Sequence, residues 1–190
     1  QRKRHYVNHK GKNPHLREYM VSYYLRREVR ERMTIARDLA LSEDRDWETI
    51  ANISAGLEVM FAVTAQSAET GAPEFLYISN ASWQLTGYWP TELQGKNPDI
   101  LQGPQTNSDD AHKFMSDLKS TGFAETKLVN VRKNGDLYGC HIFACKAPVS
   151  QSDQRSEYYA FFAECSLNDC QSWNPSQSVS SNSDNQVEAR

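Results

Sequence analysis

The chain has 190 residues, a formal net charge of −3 and 38% hydrophobic residues, the size of one domain with extensions or of two very small ones. No apolar run approaches the length of a membrane-spanning helix, and the opening QRKRHYVNHKGKN lacks the apolar stretch of a secretory signal. Charge is split unevenly: residues 1–37 carry +8 and residues 38–190 carry −11, so a basic arm on an acidic body is expected to meet nucleic acid or an acidic partner.

Residues 1–12 are basic and polar with no apolar period. Asn13-Pro14 is a good helix start, an N-cap residue before a proline at the first helical position. Leu16, Tyr19, Tyr23, Val29, Met33, Ala36 and Leu39 then recur mostly at three- and four-residue intervals. One amphipathic helix to about Leu41 is predicted, with Arg17, Arg26, Arg27, Arg30, Arg32 and Arg37 on its other face. Such a helix packs its apolar stripe on the body, pairs with a second copy, or presents its arginines to nucleic acid. Ser42-Glu43-Asp44 caps a second, short helix through Trp47, Ile50 and Ile53 that ends at Gly56.

Strands follow. Val59 to Thr64 is β-branched and aromatic, and Phe75 to Ser79 is its hairpin partner. A helix starts at Asn80-Ala81-Ser82, and a longer one is capped at Thr106 to Asp109, presents Ala111, Phe114, Met115 and Leu118, and stops at Gly122. Ala124 to Arg132 and Leu137 to Val149 are strands joined at Asn134-Gly135, the strongest hairpin signal in the chain. Glu157 to Ser166 is the last strand, and the Ser/Asn/Gln-rich residues 169–190 read as a disordered tail. Cys140, Cys145, Cys165 and Cys170 form no C-x-x-C pair, so mostly buried reduced thiols of a cytoplasmic or nuclear protein are expected, with a zinc site or a disulfide as the alternatives. A start at Gln1 rather than methionine is expected of a piece of a longer chain.

Between the second strand and the long helix lies LTGYWPTELQGKNPDILQGPQT, Leu85 to Thr106. Glycine and proline at this density forbid a long helix or strand, so the block reads as a wall of short helices pinned by Tyr88, Trp89, Leu93, Ile100 and Leu101. Gly-Tyr, Glu-Leu-x-Gly and Asn-Pro in this order, with RKNGDLY downstream, resemble the signature of the PAS superfamily, and LQGPQT is similar to its flavin-binding LOV branch. The likeness extends from about Val59 to about Ser166. It implies an α+β fold, a five-stranded antiparallel sheet with helices packed on one face, preceded here by an N-terminal helical extension (1–56) and followed by the polar tail.

The LOV likeness implies a site for flavin mononucleotide, in this chain formed by Asn97, Leu101, Gln102, Asn130, Cys140 and Glu164. The cysteine that attacks the flavin in that branch is replaced by Pro98, which has no nucleophile. Asp99 stands where the branch has a phosphate-binding arginine, and the second such arginine falls near Met115. An anion in place of a cation at 4 Å reverses a Coulomb energy of about 1–4 kcal/mol. Asn97, Gln102 and Asn130 keep the branch's amides, whereas Cys140 replaces an asparagine and Glu164 a glutamine.

No protease, hydrolase, kinase or phosphate-loop motif is present, and His141 and Cys140, adjacent on a strand, point to opposite faces. The expected function is non-enzymatic: a sensory module that pairs, as a homodimer or with another PAS domain, through the outer face of the sheet and the N-terminal helix. His141, Phe143, Phe161 or Phe162 are expected on that face. The alternative is a blue-light or redox sensor that holds flavin mononucleotide noncovalently. No membrane contact is expected.

Overall fold

Strand alternation and register build one sheet, onto which every helix packs. The computed structural model describes residues 29–38, 47–147 and 156–173. Five strands, β1 (Met60–Gln66), β2 (Pro73–Ile78), β3 (Phe123–Val131), β4 (Leu137–Lys146) and β5 (Glu157–Cys165), pair antiparallel in the order β2-β1-β5-β4-β3. The fold is the α+β arrangement expected, with the helices of the central block inserted between β2 and β3.

Successive strand residues point to opposite faces. On the inner face, Met60, Phe75, Leu128, Tyr138, Cys140, Ile142 and Phe162 are buried with Leu93 and Leu101 from the central block and Leu118 from helix α5 (Ser108–Thr121). On the outer face, Phe61, Val63, Phe143, Cys145, Tyr159, Phe161 and Ala163 are buried by Met33 and Ala36 of helix α1 (29–38) and by Ile50 and Ala51 of helix α2 (Trp47–Gly56). Fully burying one such aromatic ring contributes about 1.5–3 kcal/mol. Phe162 therefore belongs to the inner face, not the outer: Ile142 pairs with Phe162 and Phe143 with Phe161, so only Phe161 reaches the flanking helices.

The central block folds as helices α3 (Ser82–Thr86) and α4 (Pro90–Leu93) and a 3₁₀ turn, Pro98–Leu101. Gly87 and Gly95 turn the chain at φ 75° and 74°, a left-handed conformation open to glycine. Backbone bonds from Phe75 N–H to Lys96 O and from Gly95 N–H to Phe75 O tie the block to β2. At its other end Thr106 Oγ1 donates to Val129 O on β3 at 2.6 Å. Asn107 then caps α5, its side chain accepting from the Asp109 and Asp110 N–H groups, and Gly122 ends the helix at φ 82°.

Other differences from the sequence reading are local. β4 ends at Lys146, short of Val149. The N-terminal helix is seen over 29–38; its expected start at Asn13, the Ser42 cap, the turn at 150–154 and residues 174–190 lie outside the described residues. The polar tail does not begin at 169, because Ser166 caps a short helix, α6 (Leu167–Gln171), and Cys170 is buried against the sheet. α6 fits because Gly139 lies beneath it: a Cβ there would stand 2.6 Å from Cys165 O and 2.7 Å from Ser166 O. We expect Gly139→Ala to lower stability by about 1–3 kcal/mol in urea unfolding, with α6 losing hydrogen-exchange protection first.

Candidate functional site

The positions expected to face a ligand are spread along the inner face near the β3–β4 turn. Gln102 bridges to Asn130 on β3, and Leu101 beside it is buried. Asn130 stands opposite Tyr138, and Cys140 opposite Leu128 on one side and Glu164 on the other. Leu101, Gln102, Asn130, Cys140 and Glu164 are thus assembled on neighbouring rungs. Asn97 is apart from them in role: its Oδ1 accepts the Asp99 N–H at 3.0 Å and starts the 3₁₀ turn.

Two residues outside the sequence reading complete the cluster. Tyr138 is 2% exposed, and its hydroxyl faces the Asn130 amide and the Cys140 thiol. Neither that hydroxyl nor Asn130 Oδ1 makes a hydrogen bond of normal geometry. Burial, with Cys140 close by, pushes the phenol far above its ordinary value, and burial does the same to Cys140. Both stay protonated at any physiological pH. Arg132 lies over this pair, its guanidinium 4.4 Å from the centre of the Tyr138 ring. One end donates to Leu85 O and the other to Glu164 Oε1 at 2.7 Å. Glu164 is 57% exposed, so its ion pair contributes little, about 0–1 kcal/mol; stacking and the Leu85 carbonyl fix the arginine. Tyr138 was legible as the residue two before Cys140 on one strand face. Arg132 was not, since its partners lie 47 and 32 residues away.

A family model for the PAS domain matches residues 59–166. The chain belongs to the PAS domain family. Among its relatives are the bacterioopsin transcriptional activator of Halobacterium salinarum, 28% identical over 55% of this chain and 15% of that protein, and the blue-light-activated histidine kinase 2 of Erythrobacter litoralis, 22% identical over 52% of this chain and 28% of that protein. The PAS chain thus spans well under a third of either relative's length. Its structural neighbours are LOV domains. A light-oxygen-voltage domain studied with a flavin analogue superposes with a TM-score of 0.56 at 21% identity, over 66% of this chain and 90% of that one. The dark structure of the Aureochrome1 LOV domain gives 0.53 at 22%, over 69% and 92%. At these identities the likeness is one of fold.

The residues of this PAS domain depart at several points from the flavin mononucleotide site that the LOV likeness implies. Pro98 offers no nucleophile, and Asp99 at the phosphate end accepts the Gln102 amide at 2.9 Å. Lys113, a basic residue of α5, pairs with Asp117 at 2.6 Å. Glu164 is turned to Arg132, and Cys140 is fully buried beneath Tyr138. The amides that match the branch have work of their own, Asn97 as a cap and Gln102 in its own loop.

A second polar cluster sits on the outer face, where His141 Nε2 meets Glu125 Oε1 at 2.5 Å. Arg30, Met33, Thr34 and Arg37 of α1 line a cavity of about 30 Å³ with these two and Phe143. The Trp173 ring is 6.1 Å from His141, and Lys127 Nζ is 5.0 Å from the Trp173 ring. Burial raises the Glu125 carboxyl, but the His141 hydrogen bond, with the charges of His141, Lys127 and Arg37, outweighs it and holds the carboxyl below the usual range.

Two outcomes follow. A depressed carboxylate stabilises the fold above its unfolded value and stops doing so as pH falls through the folded one. Acid unfolding followed in urea should therefore be shallower for Glu125→Gln than for the parent chain below the ordinary carboxylate range, with no difference in slope near neutrality. Tyr138→Phe removes a buried hydroxyl that lacks a well-formed bond, so its unfolding free energy should be unchanged or higher by up to about 1 kcal/mol; a loss larger than that would show a partner for the hydroxyl.

Proposed function

We propose that this PAS domain is a non-catalytic signalling module of a larger regulator, and that it pairs through the outer face of its sheet. The observation that carries this reading is the aromatic outer face, which is covered by helices that precede the PAS match. Phe61, Phe143, Tyr159 and Phe161 form a continuous aromatic surface. Over 29–38, α1 buries Met33 and Ala36 against it with Val29 partly buried beside them, α2 adds Ile50 and Ala51, and Ile35 is 45% exposed. Flanking helices outside the matched region that cover such a face are the kind of element that a signal displaces without unfolding the domain.

The partner is a second copy of the chain or another PAS domain, meeting the sheet face and the N-terminal helix together. That relatives are described as a transcriptional activator and a histidine kinase supports a place inside a larger regulator. The basic residues 1–12 would bring such a regulator to nucleic acid by charge. The alternative is a blue-light or redox sensor with noncovalent flavin, and the unpartnered Asn130 Oδ1 and Tyr138 hydroxyl favour it, because two buried polar atoms side by side are what a ligand's edge could satisfy.

Light scattering after size exclusion, over a range of concentrations, tests pairing. The full chain should form a concentration-dependent dimer, and deletion of residues 1–41 should change that equilibrium. A strict monomer unaffected by the deletion would sink the pairing reading. Reconstitution with excess flavin mononucleotide tests the alternative: no visible flavin absorption in the gel-filtered protein is expected, and a stoichiometric flavin band would replace the preferred reading with the second.

A further inference from the structure

The four cysteines occupy three different environments. Cys145 is buried on the outer face among Phe61, Phe143 and Phe161, its thiol pushed up to about 12 by that burial. Cys140 is sealed under Tyr138 on the inner face. Cys165 and Cys170 differ from both, because their sulfurs face each other at 3.6 Å. Cys165 is the last residue of β5 and is half-buried, while Cys170 is on α6 and donates to Leu128 O on β3 at 3.3 Å.

We infer that Cys165 and Cys170 are a dithiol that a peroxide converts to a disulfide, a modification site at the point where the chain leaves the sheet. Contact distance is already made, and a disulfide needs the sulfurs to close to about 2.0 Å. Ser166 caps α6 between them, accepting the Asp169 N–H at 3.1 Å, so the loop that the bond would close is short and preformed. The Cys165 S–H hydrogen bond, the Cys140 backbone and the Lys127 charge outweigh burial and the Asp169 charge and hold the Cys170 thiol below its usual range, which supports Cys170 as the attacking sulfur of the 3.6 Å pair. Cys165, by contrast, is held protonated by the same contact and by burial.

The chemistry balances with hydrogen peroxide as oxidant. Cys170 sulfur attacks one peroxide oxygen, the O–O bond breaks, and water leaves with the thiol proton, giving a sulfenic acid. Cys165 sulfur then attacks that sulfur, the S–O bond breaks, and a second water leaves with the Cys165 proton. Two thiols are oxidised by two electrons and one peroxide is reduced to two waters. A small thiol such as glutathione reverses the bond by exchange. Closing it draws Cys170 toward β5 and ends its hydrogen bond to Leu128 O, so α6 shifts from β3 to the end of β5. Trp173, three residues on, rests beside His141 and Lys127, so the outer-face cluster feels the change. None of this depends on the domain's pairing or on flavin.

The test uses the intact chain, fully reduced, exposed to hydrogen peroxide, then alkylated and mapped by mass spectrometry. We expect two of the four thiols to escape alkylation, a Cys165–Cys170 cross-link in the peptide map, and full recovery of alkylation after glutathione. In Cys165→Ser the resolving thiol is gone, so dimedone should trap a sulfenic acid on Cys170 that the parent does not accumulate; circular dichroism confirms that the variant is folded. Four alkylated thiols after peroxide, or a cross-link that involves Cys140 or Cys145 instead, would overturn the inference.

Discussion

Residues that alternate along β4 and β5 find a covered face on either side of the sheet, and the rest of the molecule answers to this double burial. A sheet with one wet face alternates apolar with polar. Here His141, Phe143 and Cys145 are buried outward as fully as Cys140, Ile142 and Ala144 are inward. The inner set is covered by the central block and α5. The outer set needs α1 and α2, which is why residues before the PAS match at 59 are part of the folded unit. Without them, a ribbon of aromatic rings on β1, β4 and β5 would face water, a surface of the size and type that seeks a partner.

The inner face is closed by the chain's own polar groups. The central block is fastened at one end to β2 and at the other to β3, and Arg132 reaches across to the Leu85 carbonyl. Its guanidinium covers Tyr138 and holds Glu164, so Glu164 is committed within the domain while Asn130 Oδ1 and the Tyr138 hydroxyl beside it are left without a well-formed bond. Fold and pocket have separate requirements in this family. The wall of short helices depends on Gly87, Gly95, Pro90 and Pro98, all of them present; the pocket depends on particular polar ends, half of which are changed. A strong likeness of fold and a changed set of pocket residues are therefore compatible.

Most of the architecture was legible because its signals are local. Asn134-Gly135 gave the turn, with Gly135 at φ 93°; Asn107 capped α5 through its own side chain; the Gly-Pro spacing gave the wall. What escaped depends on pairing between distant residues. Phe161 and Phe162 are adjacent and alike, and which one faces out follows only from the β4–β5 register, where a shift by one residue exchanges the faces. α6 looked like tail by composition, since LNDCQ has little to bury; it is held by Cys170 and by the room that Gly139 leaves beneath Cys165 and Ser166. Asn97, Gln102 and Asn130 were singled out by the resemblance, but what surrounds them, Asp99 beside the first two and Tyr138 opposite the third, required the fold.

The basic face of α1 serves the fold before it serves any partner. Arg32 donates to Leu57 O at 3.2 Å and pairs with Glu58 at 3.0 Å, so it anchors the helix to the chain between α2 and β1. Arg37 adds its charge beside Glu125 and pairs with Asp38 at 3.2 Å. Arg32 and Arg37, two of the six arginines that the sequence placed on the polar face of the helix, are thus partly used within the domain, and Arg30 is the exposed one within 29–38. These contacts also bring the two flanks together. Arg37 from the N-terminal side and Trp173 from the C-terminal side reach the same His141–Glu125 pair, one across α1 and the other around the β3 edge. A displacement of either flank must alter the packing and charge around that pair, so the outer face couples the ends of the domain through side chains on β3 and β4, without any change being required in the closed inner face.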